Sequence, residues 1–99
     1  MGALDYFDMP PGDSRNVEVD FSTAAARFGL NVASVDWAIE NGSSVTISGT
    51  PAISGNVSPG LLIASATQTG CTIVRVKGTL SDGQTITEYF RVGVTDPTC

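Results

Sequence analysis

The chain reads as an all-β protein, an antiparallel sandwich of six to seven short strands, with a small barrel as the alternative, and an extended N-terminal arm over residues 1–15. Three observations lead there. Apolar and polar residues alternate with a period of two in several short runs, as in "NVEVDF" and "ASVDWAIE". Turn-forming clusters such as "NGS", "QTG" and "SDG" separate these runs at intervals of about eight to twelve residues. No stretch carries the roughly 3.6-residue periodicity of an amphipathic helix of ordinary length.

Each element follows in order. Residues 1–15 contain "DMPPGDS", whose prolines and glycine argue against a regular element and for an arm. The sandwich then spans residues 16–99. In "NVEVDF", Val17, Val19 and Phe21 share one face, and Glu18 and Asp20 the other. "STAAARFG" reads as a single helical turn capped by Ser22 and stopped by Gly29, with Phe28 and Leu30 plugging the end of the core. Val35, Trp37 and Ile39 define the inner face of the next strand; after the Asn41-Gly42 turn, Val45 and Ile47 continue inward. Pro51 and Pro59 keep "TPAISGNVSPG" out of a central strand. "LLIASAT" is apolar enough for a strand buried on both faces, or for one that meets a partner. "CTIVRVKGTL" and "TITEYFRVGVT" close the fold.

The turn between those last two strands sets their register. A two-residue Asp82-Gly83 loop would oppose Val74 with Arg91 and Val76 with Tyr89, mixing apolar and charged positions on both faces. A three-residue Ser81-Asp82-Gly83 loop, a type I turn closed by a left-handed glycine, opposes Val74 with Phe90, Thr72 with Val92 and Gly78 with Ile86. One face is then apolar apart from Glu88, and the other, with Arg75 opposite Tyr89, is polar. Burial of one face selects this register. Gly83 supplies the positive φ and Asp82 accepts local backbone hydrogen bonds, so both are structural.

Composition narrows the function classes. Among 99 residues, charged side chains make up 15%, against about 25% for ordinary soluble domains, and Ser, Thr, Gly and Asn take their place. The net charge of −5 and five scattered cations leave no basic stripe for nucleic acid, and disfavour an anionic membrane surface. No run of apolar residues is long enough to span a bilayer. Residues 1–10 lack the basic and apolar regions of a secretory signal, so synthesis in a cytosol is expected and the "NGS" and "NVS" matches at Asn41 and Asn56 read as coincidental. Asp5, Asp8, Asp13, Glu18 and Asp20 against Arg15 make the first twenty residues acidic, either as a solvated tail or as a dock for a basic surface.

Catalytic chemistry finds little support. There is no histidine, which removes the Ser-His-Asp, Cys-His and histidine–metal arrangements. Asp36 and Glu40 lie about 13 Å apart along one strand face, too far for a glycosidase pair. "DYFDMPPGD" is acidic but lacks the spacing of a calcium loop, so no metal or other cofactor is expected. Cys71 would face Gly93; if the strand stays extended, Cys99 lies about 20 Å further on, beyond the roughly 7 Å of a disulfide. A free structural Cys71 is expected. Trp37, alone in the middle of a strand, reads as core. Tyr6 and Phe7, in an arm with little local core to join, read as anchors for a neighbouring subunit, with Asp5, Asp8, Pro10 and Pro11 beside them.

The order of features resembles a family of small immunoglobulin-like structural proteins of tailed bacteriophages, some of them fibre–tail adaptors. The residues that carry the resemblance are Asp20-Phe21, residues 33–37 ("ASVDW"), 45–48 ("VTIS"), 72–76 ("TIVRV"), 81–83 ("SDG") and 90–94 ("FRVGV"). The resemblance implies an immunoglobulin-like sandwich, no catalysis, and a place in a virion assembled in the host cytoplasm. Its implied partners are other virion proteins and copies of itself, with neither nucleic acid nor membrane. Tail or fibre adaptor and head decoration both fit. The alternative is a stand-alone sandwich that binds carbohydrate or a cell surface.

Overall fold

The structure, a computed structural model, describes residues 5–95. It has seven strands: β1 (Asp5–Met9), β2 (Ser14–Asp20), β3 (Val32–Asn41), β4 (Val45–Ser48), β5 (Val57–Ala64), β6 (Gly70–Leu80) and β7 (Thr85–Val94), with one helix, α1 (Ser22–Phe28). One sheet has the order β1-β7-β6-β3 and the other β2-β5-β4. β1 runs parallel to β7; every other pair is antiparallel. The expected all-β sandwich is therefore present, with its core between the two inner faces.

The β6–β7 hairpin has the register that burial selects. Val74 opposes Phe90, Thr72 opposes Val92 and Arg75 opposes Tyr89. Gly83 has φ +96°, its N–H donates to the Leu80 carbonyl at 2.9 Å, and the Leu80 N–H donates to Gln84 at 2.7 Å. Val74, Val76, Leu80, Phe90 and Val92 are all buried. A polar link secures the far end of β6: the Ser44 and Thr72 hydroxyls, both buried, share a hydrogen bond of 2.7 Å, and the Ser44 N–H donates to Thr72 Oγ1 at 3.1 Å.

Four expectations need correction. The first is the arm. Asp5–Met9 is not free-standing but pairs with β7, Asp5 opposite Phe90 through to Met9 opposite Val94. "DYFDM" alternates: Phe7 and Met9 point to the core, and Met9 is only 2% exposed. Pro10 and Pro11 end this strand without preventing it. The chain turns there, with the Asp13 N–H donating to the Pro10 carbonyl at 3.2 Å, and β2 begins at Ser14, so no structural boundary falls at residue 15.

The second is the connection after β2. It is a seven-residue helix with no side-chain cap at its start. The Ser22 hydroxyl does not cap it; the Asp20 carboxylate accepts the Ser22 N–H at 2.8 Å. Gly29, at φ 67°, ends the helix as expected. Phe28 is 48% exposed; the end of the core is filled by Phe21 and Ala25, with Leu30 packed against it. A short helix shows only one face to the core, and position 28 falls outside it.

The third is β5. Pro59 lies within this central strand, opposite Glu18 of β2. It is tolerated because β4 reaches only residues 61–64, so β5 has one neighbour at Pro59 and is locally an edge. Nor is β5 buried on both faces. Leu62 and Ala64 point inward, Leu61 is half-buried and Ile63 is exposed.

The fourth concerns cysteine. Cys71 is disulfide-bonded, not free. The chain's other cysteine, Cys99, lies outside the described residues. The expectation assumed an extended chain past Gly93, but β7 ends at Val94 and Thr95 turns into the left-handed region at φ 53°.

Candidate functional site

Hairpin register and β1 pairing together build the outer face of the larger sheet. Antiparallel pairing sets Arg75 opposite Tyr89 and Ala38 of β3, and Ile73 opposite Arg91. Parallel pairing adds Tyr6 opposite Arg91. The Arg91 guanidinium lies 5.7 Å from the Tyr6 ring centre, and the Tyr6 hydroxyl donates to the Asp8 carboxylate. Tyr6 and Tyr89 are 38% and 42% exposed. Arg75 lies between Asp36 at 3.6 Å and Glu40 at 3.4 Å. Those two carboxylates are thus held as ion pairs on an open sheet face, with the cation between them.

The residues expected to bind a partner are divided by the structure. Tyr6 and Asp8 stand on this outer face. Phe7 turns inward, stacks on Phe90 with ring centres 5.8 Å apart, and carries the Arg15 guanidinium 5.0 Å from its ring centre. Pro10 and Pro11 are exposed in the β1–β2 turn. Asp5 belongs to β1 through its backbone pairing. Tyr89 and Arg91 join the face although the sequence reading did not assign them to a site. Their signal was the register that placed Tyr89 beside Arg75; the nearness of Arg91 to Tyr6 needs the parallel β1–β7 pairing, which no local pattern announces.

Trp37 is a core residue. It is buried, meets Phe90 edge-on at 6.0 Å, and donates from Nε1 to Ser58 Oγ at 2.9 Å. Ser58 in turn donates to the Ala52 carbonyl at 2.8 Å. This chain of bonds satisfies the indole N–H inside the sandwich. Asp82 behaves as a turn residue: its carboxylate accepts from the Gln84 side chain and, at 3.0 Å, from the Gln84 N–H. These bonds, the side-chain one foremost, hold its pKa below the ordinary 3.8. Asp20 is lowered in the same way by the Ser22 hydroxyl and N–H.

Two grooves of about 380 Å³ each run beside β7. The first lies between β2 and β7 and is lined by Phe7, Val17, Glu18, Val19, Asp20, Glu88, Tyr89 and Phe90. The second continues past Asp20 and Glu88 to Ala24, Arg27, Phe28 and Ile86 of the α1 side. Their walls are mostly apolar and their rims acidic. Among the described residues, no group of three His, Cys, Asp or Glu is placed to hold a metal ion. No described helix is long and apolar enough to cross a membrane.

No protein-family model and no curated protein matches the chain. Solved structures do. The chain is similar to the PKD domain of the KIAA 1837 protein over 99% of its own length and 88% of that domain, with 17% identity and a TM-score of 0.58. It is similar over 94% of its length to part of a nucleoside hydrolase-related hypothetical protein from Saccharophagus degradans that is associated with carbohydrate metabolism, with 15% identity and a TM-score of 0.60. A 2,6-sialyltransferase from Photobacterium sp. JT-ISH-224 matches over 98% of the chain, with 11% identity and a TM-score of 0.52. The chain spans only 23% and 19% of those two proteins. At these identities the similarity concerns the fold alone. That fold is an immunoglobulin-like β-sandwich.

Proposed function

We propose that the protein is a non-enzymatic structural subunit of a tailed-phage virion, docking on neighbouring subunits as a tail or fibre adaptor or as a head decoration. The observation that carries this reading is the outer face of the β1-β7-β6-β3 sheet. It presents Tyr6, Tyr89 and Arg91 on a rigid support, and Tyr and Arg dominate protein–protein contacts because each offers a large area or many donors at little entropic cost. Low charge and a surface rich in Ser and Thr suit packing among many copies, where weak contacts add through multivalency. The disulfide at Cys71 fits a particle that ends up outside the reducing cytosol. The sequence resemblance supplies the virion context.

The test is direct. Purified particles made from a genome that encodes this chain should contain it in stoichiometric amount by mass spectrometry. Tyr89→Ala should reduce its incorporation while leaving the melting temperature of the isolated chain unchanged. Absence of the chain from such particles sinks the proposal. The same exposed tyrosines also suit a second reading, a sandwich that binds carbohydrate. A glycan array on which the wild-type chain binds and Tyr89→Ala does not, together with a particle lacking the chain, selects that reading.

A further inference from the structure

We propose that the outward face of the β2-β5-β4 sheet makes a weak two-fold contact with a second copy of this chain, in which Ile63 of each copy enters the depression beside Pro59 of the other. This deepens the docking reading and rests on it for its setting, a particle that packs many copies together.

Pairing register builds the face. Leu62 and Ala64 of β5 point to the core, so Pro59, Leu61 and Ile63 point outward along the middle of the sheet. Residues directly opposite each other share a face. Ser14 and Thr46 therefore flank Ile63, Asn16 and Ser48 flank Leu61, and Glu18 stands beside Pro59. The result is an apolar stripe with short polar side chains along most of both sides. The sequence of "LLIASAT" fits a strand buried on both faces or one that meets a partner. In the structure its Ile63 is 40% exposed on an open sheet face, which favours the partner.

Charge and shape specify the occupant. The chain carries a net charge of −5, and like charges oppose the approach of two copies. Of the residues just named, Glu18 alone is charged. A two-fold axis across the strands at Leu61 exchanges the two ends of the face. Glu18 of one copy then lies over Ser14 of the other, not over its own equivalent. An open depression of about 200 Å³ lies over Pro59 and Leu61, between Asn16 and Ser48, with Thr50 and Pro51 at its wall. Ile63 projects on the other side of Leu61, and the same axis sets it in the partner's depression. Each copy gives one knob and one hole, as an isologous contact requires.

Size sets the strength. At ordinary strand spacings the face covers about 300 Å² per copy. The pair would bury about 600 Å², against roughly 1,200 Å² for a stable complex. The contact is therefore weak by itself, with a dissociation constant on the order of 1 mM, and gains by repetition within an assembly.

The test follows amide NMR of the full chain on dilution from about 1 mM to about 10 μM, a range that spans the expected dissociation constant. Expected are concentration-dependent shifts at Asn16, Ser48, Leu61 and Ile63. Ile63→Lys, at an exposed position, should keep a dispersed spectrum and lose those shifts. Ser14→Lys sets a lysine over the partner's Glu18 and should tighten the pair about five-fold. Within one copy the two positions are about 13 Å apart along β2, so the gain arises only between copies. Ser81→Lys, in the β6–β7 turn, changes the net charge equally and should not tighten it. No shifts at the highest concentration, shifts confined to the sheet of Tyr6 and Tyr89, unchanged shifts in Ile63→Lys, or equal tightening by both lysines overturns the proposal. Incorporation into particles is read separately, so the contact can fail while the docking reading stands.

Discussion

Gly60 lies against the indole of Trp37 so closely that a Cβ at position 60 would stand 2.7 Å from Cη2 and Cζ3. The large core aromatic of the β3 strand thus meets bare backbone on β5. The neighbouring Ser58 closes the same contact by accepting the Trp37 N–H. Gly60→Ala should destabilise the fold by about 1–3 kcal/mol, because a packed core cannot yield that space without shifting side chains off their rotamers. Ser58→Ala should cost about as much, since it strands the indole N–H. Chemical denaturation of each variant measures both, and an unchanged midpoint for Gly60→Ala would mean that Trp37 is free to move.

Met9 should prove to be a core residue even though it follows an acidic stretch and precedes two prolines. Its burial within β1 predicts a loss of about 2–5 kcal/mol for Met9→Ala. Exposed Pro11→Ala should change stability little. Equal midpoints for both variants would show that β1 does not hold to β7 in solution.

Acid should loosen the β6–β7 turn only at low pH. Asp82 has a folded pKa below its ordinary 3.8 because the Gln84 side chain and N–H bond to its ionised form. The ionised carboxylate therefore contributes fully above that ordinary value, and its contribution is lost as pH falls through the lower folded value. An NMR titration should place the Asp82 carboxyl midpoint below 3.8, and Gln84→Ala should raise it. A midpoint at or above the ordinary value would contradict the turn geometry.

Oxidation state should matter to stability. Cys71 is disulfide-bonded and Cys99 is the chain's only other cysteine. The unreduced, denatured chain should show no titratable thiol, Cys99→Ser should expose one, and reduction should cost about 2–4 kcal/mol if loop closure dominates. A free thiol in the oxidised wild type would refute the bond.

Local pattern carried most of the fold. Period-two alternation placed β2, β3, β4, β6 and β7, and the requirement that one face be dry chose the hairpin register to the residue, Val74 against Phe90. The same rule would have found β1, since Phe7 and Met9 alternate with Tyr6 and Asp8, but Pro10, Pro11 and Gly12 dominate the composition of that stretch. Alternation tells which face of a strand is apolar. It does not tell which strand lies beside it or how far that neighbour extends.

Those facts of neighbourhood belong to the tertiary structure alone. The short reach of β4 lets Pro59 sit in a central strand. The parallel docking of β1 brings Tyr6 to Arg91, residues separated by most of the chain. The early end of β7 breaks the extended path assumed between Cys71 and Cys99. By itself the sequence determined the sandwich, its inner faces and its final hairpin, because these follow from side-chain periodicity and turn chemistry within a few residues. The outer face of the larger sheet was decided by packing between distant segments, where contacts depend on the fold as a whole.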